Sequence, residues 1–308
     1  MSDRPALPPG VTVLERGWLS SNNILICGNH SCALVDSGYA THAPQTLALV
    51  QAALGGRPLD VLVNTHLHSD HCGGNAALQA RYPAMQTLIP LGQAPHVAAW
   101  DPYALSYTPT GQQCEQFGFS ATLKAGAELV LGDLRWQVHA APGHDPNSVV
   151  LFEPESRLLL SADALWENGF GVVFPELDGD DAFAEVGATL DLIELIKPRT
   201  VIPGHGGAFR DVPQALARAR KRLNSFVQHP AKHVRYAAKV MIKFKLLEVQ
   251  AIELEKLLPW ATATDLLLRL HQLDAPQKSF QAWGQQLVDE LVASGAAAWD
   301  GTVVRNRG

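Results

Sequence analysis

The chain has 308 residues, of which 47% are hydrophobic and 18% are charged, and its formal net charge is −6. This length and apolar content suffice for one α/β domain of about 200 residues and a smaller second domain. The negative charge excludes a general electrostatic attraction to nucleic acids or anionic membranes. The sequence contains no apolar run of membrane-spanning length, and its start lacks the apolar core of a signal peptide, so we expect a cytoplasmic protein that binds no membrane.

Strand and helix patterns alternate from the N-terminus onward. Short apolar runs predict strands over residues 11–16, 24–27, 33–36 and 59–63, and the spacing of apolar residues predicts a helix over 43–54. The turn between the second and third strands is flanked by two cysteines, Cys27 and Cys32. Their spacing permits a bridge, but we expect reduced thiols in a reducing compartment.

The densest group of metal-binding side chains follows the fourth predicted strand. His66, His68, Asp70 and His71 lie within six residues, just before a predicted helix over 75–82. Side chains alternate along a strand, so the first two histidines point to the same side where the strand ends. Asp70 and His71 can converge on them from the turn into the helix. Imidazole and carboxylate together suit a divalent ion such as zinc, manganese or iron.

The alternation continues as far as residue 202. Apolar patterns predict hairpins over 129–139 and 149–160, a helix over 183–193 and a strand at 201–202. The intervening segment 93–125 has little periodicity and carries several aromatic residues. A segment of this length is typical of a lid or a binding loop.

The composition changes after about residue 215, where helix-forming sequence dominates. A β-hairpin closed by an Asp-Gly turn is predicted over 296–305. Helices before such a hairpin indicate a winged-helix-like domain over residues 229–308, after a first domain over 1–228. The predicted helices cover residues 234–248, 252–258, 263–273 and 279–294.

Basic residues outnumber acidic ones by ten to two between residues 210 and 250. Such a run can attract RNA phosphates or an anionic small molecule. It can equally be a solvated helical face, or an interface with the first domain or with a second copy of the chain. The sequence leaves these interpretations open.

The motif at residues 66–71 resembles the His-x-His-x-Asp-His signature of the metallo-β-lactamase superfamily. Three later segments resemble the remaining ligand positions of that family: Pro142-Gly143-His144, Ser161-Ala162-Asp163 and Pro203-Gly204-His205. The resemblance implies a four-layer αββα sandwich, in which two mixed β-sheets pack face to face with helices outside. It also implies that Asp36, at the end of a strand, supports the metal ligands without binding the metal.

The resemblance further implies a cofactor of two divalent metal ions, with zinc favoured and manganese or iron as alternatives. One ion would bind three histidines, and the other would bind a carboxylate and two histidines. A second carboxylate would bridge the two ions. The implied ligands are His66, His68 and His144 for the first ion, Asp70, His71 and His205 for the second, and Asp163 for the bridge.

In such a site, a hydroxide held between two metal ions is the nucleophile, and Asp70 orients it or accepts its proton. The implied function is a metal-dependent hydrolase of a small ester, thioester or lactone, with glyoxalase II as the nearest named branch. One alternative is a metal-dependent endoribonuclease or phosphodiesterase whose C-terminal domain assists RNA binding. A further alternative is a nucleic-acid-binding protein with a vestigial metal site. The expected partner is a small molecule, with RNA and a second copy of the chain as alternatives.

Residues 166–175 follow Asp163 directly and should border the metal ions. Their aromatic side chains, together with those of residues 93–125, admit two interpretations. They form either an apolar wall for the substrate or local packing of loops onto the sandwich.

Overall fold

The computed structural model describes residues 5–308, which form two compact units. The first comprises the chain up to Leu105 together with Gln113–Leu223, and the second comprises Ser106–Gln112 and Asn224–Gly308. The assignment of residues 1–228 and 229–308 to separate functional domains stays a prediction.

The N-terminal sheet of the first unit has six strands, within the part of the chain that is described. The first three strands run antiparallel to one another, and the last three continue the sheet in parallel. In spatial order the strands are β1 (Val11–Leu14), β2 (Asn23–Cys27), β3 (Cys32–Val35), β4 (Val61–Val63), β5 (Gln86–Pro90) and β6 (Ala121–Leu123).

The second sheet of this unit has five described strands. Neighbouring strands are antiparallel except for the last two in sequence, which pair in parallel. The spatial order runs from β11 (Thr200–Pro203) through β10 (Leu158–Ala162), β9 (Val149–Glu153) and β8 (Leu134–Ala140) to β7 (Glu128–Leu131).

The helices lie between these strands in the chain or follow the last of them, and most are short. In chain order they are α1 (Ala43–Leu54), α2 (Ser69–Cys72), α3 (Asn75–Arg81), α4 (Ala94–Ala99), α5 (Tyr107–Thr110), α6 (Phe174–Asp178), α7 (Ala182–Ile196) and α8 (Val212–Gln228). Helices α1 and α7 each end on a residue in the left-handed conformation, Gly55 and Lys197 respectively.

Strand β2 shows why both faces of the first sheet are apolar. Ile24 and Ile26 pack in a cluster with Trp136 and Leu151 of the second sheet, whereas Leu25 packs on the opposite side in a cluster with residues of α1. Alternate side chains of a strand point to opposite faces, so a strand buried on both sides needs apolar residues at every position. The predicted fold of two facing sheets with helices outside is therefore confirmed.

Several sequence-based boundaries are confirmed, and others are corrected. Helix α1 has the predicted limits, whereas β5 was not predicted at all. The segment 93–125 is not a continuous loop, because it contains α4, α5 and β6. The expectation of reduced thiols at Cys27 and Cys32 is wrong: the two residues are direct partners across β2 and β3 and form a disulfide, with a Cα–Cα distance of 4.2 Å.

The second unit contains four further helices and a small sheet. Its strand order is β12–β14–β13, with both pairings antiparallel. The C-terminal hairpin was predicted from the sequence, whereas most of the first strand of this sheet fell in a predicted helix over 252–258. The elements are α9 (Pro230–Val249), β12 (Ala251–Glu253), α10 (Leu254–Thr262), α11 (Asp265–Asp274), α12 (Phe280–Ala293), β13 (Ala297–Trp299) and β14 (Val303–Asn306). Whether this unit acts as a winged helix stays a prediction.

Among residues 5–308, none of the helices combines the length and the apolar character needed to cross a lipid bilayer.

Candidate metal centre

All seven predicted ligands lie just beyond strand ends of the two sheets. His66 and His68 are in the loop after β4, and Asp70 and His71 are in the one-turn helix α2. The other three follow β8, β10 and β11, respectively. The structure gathers them into two groups, and within each group the candidate ligand atoms lie within 4.8 Å of one another: His66, His68 and His144, and Asp70, His71, Asp163 and His205.

In the first group, a hydrogen bond outside the cluster orients one imidazole. The Nδ1–H of His144 donates to the carbonyl oxygen of Val172 at 2.5 Å, which leaves its Nε2 as a lone-pair donor. That Nε2 lies 2.8 Å from Nδ1 of His68. Nε2 of His66 is buried and has no hydrogen-bond partner among the described residues. A buried imidazole nitrogen without a partner is unfavourable unless it binds a metal ion.

In the second group, Nε2 of His71 faces the carboxylate of Asp163. The distance from His71 Nε2 to Asp163 Oδ1 is 3.4 Å, and Nε2 of His205 lies 3.1 Å from Asp70 Oδ2. The other oxygen of Asp163, Oδ2, lies 3.4 Å from His144 Nε2 in the first group. One carboxylate thus presents an oxygen to each group, which is the arrangement that a bridging ligand requires.

Asp36 holds the loop and the helix of the motif together. Its carboxylate accepts hydrogen bonds from the backbone N–H and the hydroxyl of Thr65, at 2.9 and 2.8 Å, and from Nδ1–H of His71 at 2.8 Å. This last bond occupies Nδ1 of the histidine, so that Nε2 is the nitrogen left to bind a metal ion once the ion has displaced its proton. Asp36 does not belong to either group of candidate ligands.

The electrostatics of the first group favour neutral imidazoles. Burial, followed by repulsion from the neighbouring imidazoles, lowers the pKa of His66 well below its usual value. Burial and the adjacent His144 lower the pKa of His68 to about 3. Neutral imidazoles are the form that binds metal ions, so no proton has to leave these two residues at neutral pH.

The second group has the opposite character. Burial lowers the pKa of His71, but the carboxylates of Asp163, Asp36 and Asp70 outweigh it and raise that pKa well above the usual value. Burial raises the pKa of Asp163, yet His71 and His205 hold it well below its usual value. The buried carboxylates therefore attract a cation, and a divalent ion can take the place of the proton. The histidines and carboxylates of the two groups, with buried ring nitrogens that lack a hydrogen-bond partner within the described part of the chain, fit two divalent metal ions.

At two positions the backbone lies so close to candidate ligands that only glycine fits. A Cβ on Gly204 would collide with Oδ1 of Asp163 and lie 3.0 Å from His71 Cε1, and a Cβ on Gly171 would collide with the ring of His144. Ala162, which precedes Asp163, has a φ of 45° in the left-handed region. This conformation turns the chain sharply at the end of β10 and costs about 1–2 kcal/mol for a residue with a side chain.

Aromatic side chains surround the histidines, in part as predicted. Phe174 lies 5.0 Å from the ring of His68, and Trp166 lies 5.7 Å from the ring of His205. Trp18, which was not predicted to lie here, is 50% exposed and stacks on His205 with ring centroids 5.4 Å apart. Its signal would have been a large apolar residue in the loop that joins the first two strands.

Two aromatic residues of the segment 93–125 pack against each other. The rings of Trp100 and Phe117 lie 5.5 Å apart in an edge-to-face contact.

Asp145 was also missed as a neighbour of the centre: it is buried, and its Oδ2 lies 3.7 Å from Nε2 of His68, the ring nitrogen that does not face His144. The sequence signal was its position directly after His144.

The chain is similar in sequence to several known hydrolases. A hydroxyacylglutathione hydrolase of Anaeromyxobacter dehalogenans is 34% identical over 193 residues, covering 63% of this chain and 64% of that protein. The hydroxyacylglutathione hydrolase of Brucella anthropi is 26% identical over 185 residues, covering 56% of this chain and 59% of its own. The match thus spans about three fifths of the length of these two relatives.

The acyl-coenzyme A thioesterase MBLAC2 of Gallus gallus is 26% identical over 216 residues, covering 64% of this chain and 77% of that protein. Among solved structures, a metallo-beta-lactamase family protein from Thermus thermophilus superposes with a TM-score of 0.59 at 19% identity, covering 98% of this chain and all of the other. The model of the metallo-beta-lactamase superfamily matches residues 16–205, more than half of the chain. The chain therefore belongs to the metallo-beta-lactamase superfamily.

Proposed function

We propose that this protein is a hydrolase that depends on two divalent metal ions and acts on a small ester, thioester or lactone. The observation that carries the proposal is the placement of Asp163, whose two oxygens face the two groups of candidate ligands. In the proposed site, His66, His68 and His144 bind one ion, and Asp70, His71 and His205 bind the other. Zinc is the proposed metal, with manganese or iron as alternatives.

Metal ions, when bound, lower the pKa of water and stabilise the negative charge that develops during hydrolysis. The protein supplies the orientation and the proton acceptor. Burial raises the pKa of Asp70, but His71 and His205 outweigh it and lower that pKa, so the carboxylate is ionised at neutral pH. We propose that Asp70 accepts the proton of the attacking water at a carboxylate oxygen.

A thioester is the substrate class that the relatives favour within this proposal. Two of them are named hydroxyacylglutathione hydrolase and a third is named acyl-coenzyme A thioesterase. The rings of Trp18, Trp166 and Phe174 beside the candidate ligands would suit an apolar acyl group. We propose residues 1–228 as the catalytic domain and 229–308 as a winged-helix-like domain.

Binding of RNA is a weaker alternative because many of the basic side chains have partners within their own unit. Arg235 donates to Asp274 and Glu290 at 2.6 Å each, and Arg220 donates to Asp191 and Glu194. A cation that is already paired gains less from a phosphate group, since the existing ion pair must be broken. Further pairs join Lys239 to Glu290 and Lys245 to Glu248, and Lys243 donates to two backbone carbonyls and Asn306.

The proposal is tested by assaying one zinc-loaded preparation against a thioester, a lactone, a phosphodiester and single-stranded RNA. We expect hydrolysis of the thioester, and its loss in the His66→Ala and Asp163→Ala variants. His30→Ala serves as the control, because His30 is an exposed histidine in the turn between β2 and β3. Retained activity in either ligand variant would contradict the dinuclear mechanism, and cleavage of RNA alone would favour the nuclease alternative.

A further inference from the structure

Trp166 makes a direct hydrogen bond to the carboxylate that faces both groups of candidate ligands. Its indole Nε1–H donates to Oδ1 of Asp163 at 3.1 Å. The same oxygen lies 3.4 Å from His71 Nε2 and 3.8 Å from His205 Nε2. Because Trp has an N–H donor and no acceptor, this contact can only be made to an oxygen that accepts the bond.

The turn after β10 holds Trp166 in place. Its backbone N–H donates to the carbonyl of Gly169 at 2.6 Å, and the N–H of Gly171 donates to the carbonyl of Asp163 at 3.0 Å. At the start of the turn, the hydroxyl of Ser161 donates to the carbonyl of Leu165 at 2.6 Å. These hydrogen bonds fix the backbone of the turn that carries the indole.

The indole ring is also restrained by other aromatic rings. It meets Trp18 edge to face at a centroid distance of 5.2 Å and His205 at 5.7 Å. Trp18 stacks on the same histidine but forms no hydrogen bond to a candidate ligand among the described residues. The two tryptophans thus share the aromatic environment and differ in the contact to Asp163.

We propose that Trp166 is a positioning residue that fixes the plane of the Asp163 carboxylate, so that Oδ1 faces the second group of candidate ligands and Oδ2 the first. This inference rests on the proposed dinuclear site. The terminal torsion of an aspartate is broad and roughly two-fold, so a carboxylate without such a donor samples orientations that do not present one oxygen to each ion. Removing a side chain that orients a metal ligand typically lowers the metal affinity by about 10–100-fold.

The test compares Trp166→Phe with Trp18→Phe. Both variants keep an aromatic ring and lose an indole N–H, but only the first loses the bond to Asp163. The stepwise dissociation constants of the metal-free proteins for zinc are measured by competition with a chromophoric chelator. We expect Trp166→Phe to weaken one of the two binding steps by about 10-fold or more, and Trp18→Phe, which keeps an aromatic ring against His205, to have a smaller effect on both steps.

Cobalt loading gives a spectroscopic readout that is independent of activity. We expect the visible absorption of the cobalt form to change at the second equivalent in Trp166→Phe and to change less in Trp18→Phe. The melting temperatures of the metal-free proteins show whether a variant is folded. If Trp166→Phe is unfolded, Trp166→Tyr, whose hydroxyl is displaced from the indole N–H, takes its place with the same expectations.

Equal zinc constants for the wild type and Trp166→Phe would overturn the inference, and so would equal effects of the two variants. The proposed function can fail separately. If no ester, thioester or lactone is hydrolysed while Trp166→Phe still weakens zinc binding, the activity is wrong and the role of Trp166 stands. A wild-type protein that binds no second equivalent of zinc would overturn both.

Discussion

Asp36 has a φ of 58°, in the left-handed region, directly after strand β3. Few residues with a side chain adopt this conformation, and Asp and Asn are among those that do so most readily. The turn that follows brings the carboxylate to Thr65 and His71. A residue outside the two ligand groups therefore sets the orientation of a residue within them.

Replacing Asp36 by Asn tests this role, because Asn tolerates the same backbone conformation. The amide keeps one acceptor oxygen but loses the negative charge that favours the bond from His71 Nδ1–H. We expect zinc affinity to fall roughly 10–100-fold, as measured by chelator competition. Asp133→Asn is the matched control, since Asp133 accepts from the backbone of Asn29 in an exposed turn. An unchanged affinity in Asp36→Asn would contradict the assigned role.

Gly204 provides a second prediction at the scale of a residue. A methyl group there would collide with Oδ1 of Asp163 and crowd His71. We therefore expect Gly204→Ala to lower the zinc content of the purified protein, as measured by elemental analysis, and to abolish hydrolysis. Gly207→Ala should behave as the wild type, because the nearest atom to its new Cβ is Oε1 of Glu15 at 3.9 Å. Full zinc content in Gly204→Ala would show that the ligands lie elsewhere.

At the scale of elements, the metal centre depends on which strands end side by side. Strands β10 and β11 pair in parallel, so their C-terminal ends deliver Asp163 and His205 to the same edge of the sheet. Strand β4 delivers the ligands of the motif from the other sheet. Sequence patterns predicted these strands because a short apolar run is a local feature of the chain. They could not predict β12, whose three residues become a strand only by pairing with β14.

Helix α9 carries a buried histidine that should make stability depend on pH. Burial lowers the pKa of His233 to about 4, from a usual value of 6.5. As the pH falls, His233 therefore takes up a proton at a higher pH in the unfolded chain than in the folded one. The free energy of unfolding should fall by roughly 3 kcal/mol as the pH drops from about 6.5 to about 4. Below that pH the loss from this group is complete.

Urea denaturation at a series of pH values measures the effect. The His233→Gln variant should lose less stability than the wild type between neutral pH and about pH 4, because it has no group to protonate. His229→Gln, in which the replaced side chain is exposed, should follow the wild type. If wild type and His233→Gln show the same pH dependence, protonation of His233 does not contribute to acid sensitivity.

At the scale of the whole molecule, metal binding and stability should be linked. Buried carboxylates and bare imidazole nitrogens are unfavourable without an ion, and a ligand that binds only the folded state stabilises it. We expect zinc at about 100 times its dissociation constant to add about 2.7 kcal/mol to the free energy of unfolding. Thermal melts with and without a chelator measure this difference. His66→Ala should show a smaller shift, and an absent shift in the wild type would contradict metal binding.

Local features of the sequence were enough to predict the family, the apolar strands and the identity of the candidate ligands. This was possible because metal-binding residues cluster in short motifs and because strand and helix periodicity is local. By contrast, the hydrogen bond from Trp166 to Asp163 and the stacking of Trp18 on His205 became evident from the folded chain alone. Trp18 and His205 are separated by most of the first unit in the chain, and a contact between such distant residues depends on strand order and packing, which no local pattern encodes.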